Sequence, residues 1–262
     1  MVFLIKFIKE FPLMEIVFFR SLLIVIFSII ILKNKNIAIV GNNRKLLFLR
    51  GFLGFLALSG YYYTCIIMLL ADAIILDQLI PFFVIILSVV FLKEKIYIQQ
   101  VSIMLITLLG GLLVTKPGFR VNQFPVIVGL NSAIIGAIAH TVIRILRKTE
   151  HPLVIVNYVG IVSGFLSLIS IFFQKNFVVP NLMNLIFMTF VGISSWGAQY
   201  FMTKAYQMAP ASIVSLYLYL QIFFGAFLSN IFFQEIPDFF SIIGIILIIC
   251  SSYLYYKIKE IK

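Results

Sequence analysis

Asp77, Gln78 and Pro81 break into an otherwise apolar run, ADAIILDQLIPFFVIILSVVFLKEK, residues 71–95, with groups that can do chemistry. A carboxylate can hold an ammonium group or carry a proton, and an amide can hydrogen-bond beside it. Pro81 has no N–H, so the carbonyl of the residue four earlier, Asp77 itself, loses its helical donor. An acid, an amide and a free carbonyl therefore fall within one turn. From Ala73 to Leu92 the run has about 20 residues, enough at ~1.5 Å each to cross a ~30 Å hydrocarbon core. Lipid satisfies none of these groups; protein or a watered cavity must. Placing a charge there costs roughly 2.5–3.5 kcal/mol. Asp77 is read as binding a cationic or amine-bearing group, or as carrying a coupling proton, with Gln78 as its neutral partner. The alternative is a structural acid paired with a basic residue such as Arg20. Asp72, at the mouth of the run, reads as a solvated helix-start acid.

A second set of candidates lies late in the chain. Trp196, Gln199, Tyr200 and Thr203 share one helical face, and Trp196 is the only tryptophan in the sequence. An aromatic face with an amide suits an organic solute, through stacking or cation–π contact; the alternative is a packing or lipid-facing aromatic. Tyr217 and Gln221 form an i, i+4 pair, with Tyr219 between them. Tyr61, Tyr62 and Tyr63 point three ways, so one or two can face a cavity, and Tyr62 is the candidate. Arg20 either recognises an anionic group or holds helices together through carbonyls and an acid, and the structural role is the expectation. His140 lies among small residues spaced by four, Ser132, Gly136 and His140 beside Gly129, Ala133 and Ala137, a pattern of close helix packing. It reads as a hydrogen-bonded packing residue rather than a proton relay.

These residues must be positioned by membrane helices. Of 262 residues, 63% are hydrophobic and 11% charged, against about 45–50% and roughly 25% in a soluble domain. The fold class is therefore an all-α polytopic membrane protein. The net charge of +11 comes from basic residues lying between apolar spans, the pattern of cytoplasmic loops rather than of a nucleic-acid surface. Cys65 and Cys250 fall inside apolar spans, which implies no disulfide framework, and two histidines are too few for a His-based metal site. The opening MVFLIKFIKEF, broken by Lys6 and Lys9, is no clean signal peptide. The chain contains no GxSxG, Walker A or HExxH pattern and no close acid pair, so no enzyme activity, cofactor or metal is expected.

Nine spans are expected, near 16–32, 46–68, 73–92, 97–115, 125–146, 153–173, 183–204, 211–233 and 239–256. The LKEK turn at Glu94 resembles the FQEI turn at Glu235, and 235 − 94 = 141. Both acids read as helix-end charges. Subtracting 141 lays the last four spans on earlier ones, places Gly192 on Gly51 and Tyr219 on Gln78, and puts Ile222 opposite Pro81. The same shift carries 125–146 to before Met1, so residues 1–8 read as the tail of a first helix that is mostly absent. The intact unit is expected to be five helices plus five, a first repeat over 1–116 and a second over 124–257. An odd number of helices inverts the second repeat, as in many secondary transporters. With the 33–45 loop inside, 14 Lys and Arg fall inside and 6 outside, which places the C-terminus in the cytoplasm. Lys204 is expected to snorkel to that interface.

The segments FFR, RGFLGFLALSGYYY, ADAIILDQLIPFF, LKEK and AYQMAPASIVSL resemble the drug/metabolite transporter superfamily, EamA type, over about residues 10–257. The resemblance implies ten helices in two inverted repeats around a central cavity walled partly by the first helix. It says almost nothing of substrate. Ile222, where the second repeat would often show proline, departs from the pattern.

These readings converge on a secondary transporter in the plasma or inner membrane. It exports or exchanges a small organic metabolite, an amine, amino acid or related compound, by rocking two halves about a cavity. The rivals are a membrane-embedded enzyme acting on lipids or quinones, and a non-transporting remnant. The partners are a small solute and the lipid bilayer, with no nucleic acid.

Overall fold

Inside lipid a backbone can hydrogen-bond only to itself, so apolar runs of this length fold as helices. The computed structural model describes residues 11–68, 70–94, 98–115, 123–174, 177–222, 224, 227, 231 and 239–260. Residues 1–8, Lys95, Lys116, Arg120, Lys175, Glu235 and Lys262 lie outside the described residues. The described helices are α1 (Leu13–Asn34), α2 (Arg44–Ile67), α3 (Leu70–Asp77), α4 (Ile80–Leu92), α5 (Ile98–Thr115), α6 (Gln123–Leu146), α7 (Pro152–Gln174), α8 (Leu182–Met208), α9 (Ala211–Tyr217) and α10 (Phe239–Glu260). Six apolar stretches among the described residues are long enough to cross a membrane: α1, α2, Asp72–Leu92 taken through its break, α6, α7 and α8. Shorter apolar helical stretches occupy Val101–Leu113, Ala211–Ile222 and Phe239–Ser251. Large side chains left uncovered, such as Phe91, Phe165, Phe172 and Phe201, are apolar, as a lipid-facing surface requires. The chain is an all-α polytopic membrane protein.

Two compact units interleave along the sequence, Met1–Tyr62 with Ile138–Ala209, and Tyr63–Ala137 with Pro210–Lys262. In the first, α1 packs along α7 and α8. Glycines permit close approach here. A Cβ on Gly51 of α2 would stand 2.8 Å from Val162 Cβ and 3.0 Å from the Tyr158 carbonyl oxygen, both on α7. Gly192 of α8 abuts Leu23 of α1 in the same way. The two glycines that coincide under the 141-residue shift thus do equivalent work. Phe11, Ile16, Val17, Tyr62, Met188 and Val191 form the buried core beside them. The α2 N-terminus is held by Glu150, whose Oε1 accepts the Asn43 N–H at 2.6 Å.

In the second unit α5 packs along α10 and α4 packs on α9. Its core is Ile85, Ile103, Met104, Leu216, Tyr219, Ile222 and Ile248. Pro81 ends one helix and starts another. The Gln78 N–H reaches the Ile74 carbonyl at 2.9 Å and the Leu79 N–H tightens onto Leu76 at 3.1 Å. Pro81 then sits in the first turn of α4, where its missing N–H costs nothing. The interruption expected at Pro81 is a tight two-residue turn, Gln78 and Leu79, between α3 and α4, within the apolar stretch Asp72–Leu92.

A second break follows α9 without any proline. The Leu218 and Tyr219 N–H groups bond three residues back, to Ser215 at 3.2 Å and Leu216 at 3.3 Å, the tight turn of a 3₁₀ helix. The buried Tyr219 ring is packed into the core at that point. Ile222 therefore departs from the family pattern in residue type while the helix breaks near the corresponding place.

Candidate functional site

The polar groups of the broken helices belong to the second unit. Asp77 is the last residue of α3 and half-buried. Its carboxyl takes a hydrogen bond from the Gln221 side chain, which lies just beyond the α9 break. The amide that reaches Asp77 is thus Gln221, from the far end of the sequence, and not the neighbouring Gln78. Gln78 is fully buried, and neither of its amide atoms finds a partner among the described residues. The Tyr219 hydroxyl, which coincides with Gln78 under the shift, is also buried without a partner among the described residues. Tyr217 is 39% exposed, so of the pair Tyr217 and Gln221 only the amide engages Asp77. Asp72 is fully buried rather than solvated, because α3 begins inside the protein.

Glu94 does serve a helix end, though not its own. Lys93 adopts a left-handed backbone, φ 54°, at the end of α4, and the N–H groups of Lys93 and Glu94 both return to the Ser88 carbonyl. That turn aims the Glu94 carboxylate at the start of α9, where Pro210 offers no side-chain cap. Glu94 accepts the Ala211 N–H at 3.2 Å, the Ser212 N–H at 3.4 Å and the Ser212 hydroxyl at 3.3 Å. A carboxylate at a helix N-terminus is favoured by unpaired N–H groups and by the dipole.

The first unit gathers the other candidates. Trp196 of α8 donates from Nε1 to the Ser28 hydroxyl at 3.2 Å. Its ring stacks on Tyr200 with centroids 5.8 Å apart and planes 3° apart, and tilts against Phe27. Gln199, on the same helix, accepts a hydrogen bond from Arg50 Nη2 at 3.3 Å. Thr203 is fully buried one turn on. His140 packs against Tyr206 with centroids 5.0 Å apart and planes tilted by 35°, and the Tyr206 hydroxyl and His140 Nδ1 share a 3.3 Å hydrogen bond. The expected packing role of His140 thus has a named partner. Both groups lie near enough to Arg50 to sense its charge.

Arg20 is 4% exposed and Arg50 2%. Arg20 faces Tyr62, itself buried, and the two guanidinium groups lie close enough to repel each other. The Nε of each is buried without a partner among the described residues. Arg50, which the sequence reading only counted among the 14 basic residues on the inner side, stands six residues into α2. Its flanking glycines, Gly51 and Gly54, were the available signal. Asn157 of α7 was also passed over; it is fully buried with neither amide atom paired among the described residues.

The model of the EamA-like transporter family matches residues 1–116 and again residues 123–257. The chain is 33% identical over 252 residues, 95% of its length and 88% of the relative's, to the pseudopaline exporter CntI of Pseudomonas aeruginosa strain UCBPP-PA14. It is 26% identical over 253 residues, 94% of its length and 84% of the relative's, to the S-adenosylmethionine uptake transporter of Rickettsia prowazekii strain Madrid E. Human solute carrier family 35 member G1 is 25% identical over 265 residues, 95% of this chain and 72% of that one. A crystal structure of another protein, 14% identical, superposes with a TM-score of 0.83 over 92% of this chain and 86% of the other. That likeness speaks to fold alone.

Proposed function

The chain belongs to the EamA-like transporter family, and from that premise we propose that it exports or exchanges a small organic metabolite, an amine, amino acid or related compound, by alternating access. Transport of a small solute within a membrane, rather than catalysis, is the role its relatives share. Export is favoured over uptake because identity to the exporter, 33%, exceeds identity to the uptake transporter, 26%. A proton or solute gradient drives it. The protein resides in the plasma or inner membrane with its C-terminus in the cytoplasm, which the 14 to 6 split of basic residues supports.

The reading rests on two interrupted helical stretches that pack on each other, α4 on α9, with Asp77 and the Gln221 side chain beside their turns. Non-helical backbone at membrane depth is tolerated where it is buried in protein or lines a cavity, and substrate sites of secondary transporters are commonly built at such breaks. An acid with a neutral amide donor can exchange that donor for a solute amine, or release a proton as the solute departs. The division into repeats over 1–116 and 124–257 accords with the two breaks and with the equivalent glycines Gly51 and Gly192.

The purified full chain in proteoliposomes, loaded with a mixture of amines and amino acids, should release a subset of them when a proton gradient is imposed. Asp77→Asn should slow that release at least tenfold. Undiminished release from Asp77→Asn would remove the proposed role of Asp77, and the absence of any gradient-dependent release would refute transport of this solute class.

A further inference from the structure

Arg20 and Arg50 present a problem that the transport reading does not yet use. Each ionised side chain buried away from water loses several kcal/mol of hydration unless an opposite charge compensates. Two of the same sign within reach of each other's charge add repulsion. In their unit, neither described carboxylate is hydrogen-bonded to either arginine: Glu15 Oε1 accepts the Val178 N–H at 2.8 Å, its Oε2 being buried without a partner among the described residues, and Glu150 Oε1 accepts the Asn43 N–H at 2.6 Å. The Nε groups of both arginines remain without hydrogen bonds among the described residues, while Arg50 is aimed by two contacts. Its Nη2 donates to Gln199, and its Nη1 occupies the space that the missing side chain of Gly54 leaves open. A guanidinium held in this way presents a fixed fork of donors, the geometry that matches an oxyanion. The neighbouring polar groups, His140, Tyr206 and Tyr62, bring no negative side chain to compete.

Resting on the reading of the chain as a solute transporter, we propose that Arg20 and Arg50 together bind an oxyanion, a carboxylate or phosphate group, carried by the transported solute. Arg50 supplies the oriented fork, with Gln199 holding it in place, and Arg20 supplies the second positive charge. The stacked pair Trp196 and Tyr200 lies on the same helix as Gln199, three residues before and one after it respectively.

The single tryptophan makes a direct test. Detergent-purified full-length protein is titrated with succinate, inorganic phosphate and, as a cationic control, putrescine, reading Trp196 emission and thermal melting together. Succinate or phosphate should change the emission saturably and raise the melting temperature, with putrescine silent at this site; whichever anion acts identifies the oxyanion. Arg50→Gln and Arg20→Gln should each weaken that response at least tenfold. Without anion both variants should melt at or above the parent temperature, because each relieves an uncompensated charge, whereas a purely structural arginine would lower it. No response to either anion, or a response unchanged in both variants, overturns the proposal. Gradient-driven release of an amine without any anion response would leave the transport reading standing and this one refuted; anion binding without release of any solute would refute the transport reading and, with it, the part of this proposal that makes the anion cargo.

Discussion

Arg50 Nη1 lies where a methyl group on Gly54, one helical turn further along α2, would stand. Glycine at this position therefore sets where a charge points. The group in the way is the far end of a flexible side chain, so an alanine can be admitted by moving the guanidinium, and alanine gains up to about 1 kcal/mol in helix propensity. Gly54→Ala should melt at or slightly above the parent temperature while binding succinate or phosphate about tenfold more weakly, the loss of roughly one charge-assisted hydrogen bond. Trp196 emission titrations compared with melting curves check both halves.

Asp77 and Gln221 should separate transport from stability. Asn at position 77 can still pair with the Gln221 amide, so Asp77→Asn is expected to fold with stability within about 1 kcal/mol of the parent while losing solute flux. Gln221→Leu instead strips a half-buried acid of its described partner and should lower stability by about 1 kcal/mol. Thermal melts of the two variants beside proteoliposome flux give the comparison.

Glu94 closes the α9 N-terminus through three hydrogen bonds to Ala211 and Ser212. Glu94→Ala leaves those N–H groups without a cap and should cost about 1–2 kcal/mol, with Ser212→Ala, which removes one of the three, costing less. Hydrogen exchange at Ala211 and Ser212 should rise in Glu94→Ala; unchanged protection there would contradict the cap.

His151 caps α7 from the loop before it, its Nδ1 accepting the Leu153 N–H at 3.2 Å. Only a neutral ring can accept at that nitrogen. Burial, and then the nearby Lys35 charge, hold this imidazole below its ordinary value near 6.5. A depressed folded-state value means that the contribution is present above the unfolded value and disappears as pH falls through the folded one. The melting temperature should fall between pH 7.5 and pH 5, and His151→Asn, a cap that does not titrate, should flatten that fall.

The expected spans and the helices agree closely where helix ends are marked by charge, asparagine or proline. The span expected at 153–173 is Pro152–Gln174, and that at 125–146 is Gln123–Leu146. Pro81 was legible as an interruption because a missing N–H is a property of the residue itself. The break after Tyr217 was not, since LYLYLQI contains no breaker and the tight turn coincides with Tyr219 packed into a core drawn from α4, α5 and α10. Arg50 was passed over as a site residue for a related reason. Its position near a cluster of loop charges was visible, but its direction, toward Gly54 and Gln199, was not.

By itself, the sequence determined that this chain is a helical membrane protein with polar residues inside its spans at Asp77, Gln78 and Arg20, because lipid leaves the polar backbone of an apolar run no partner but itself and makes each intramembrane charge conspicuous. Tertiary structure alone decided which of these groups meet. A membrane helix is apolar on nearly every side, so periodicity does not say which face turns to protein and which to lipid. Gln221 finding Asp77 across 144 positions (221 − 77), and Arg50 finding Gln199 across 149, are outcomes of helix packing that no local pattern records.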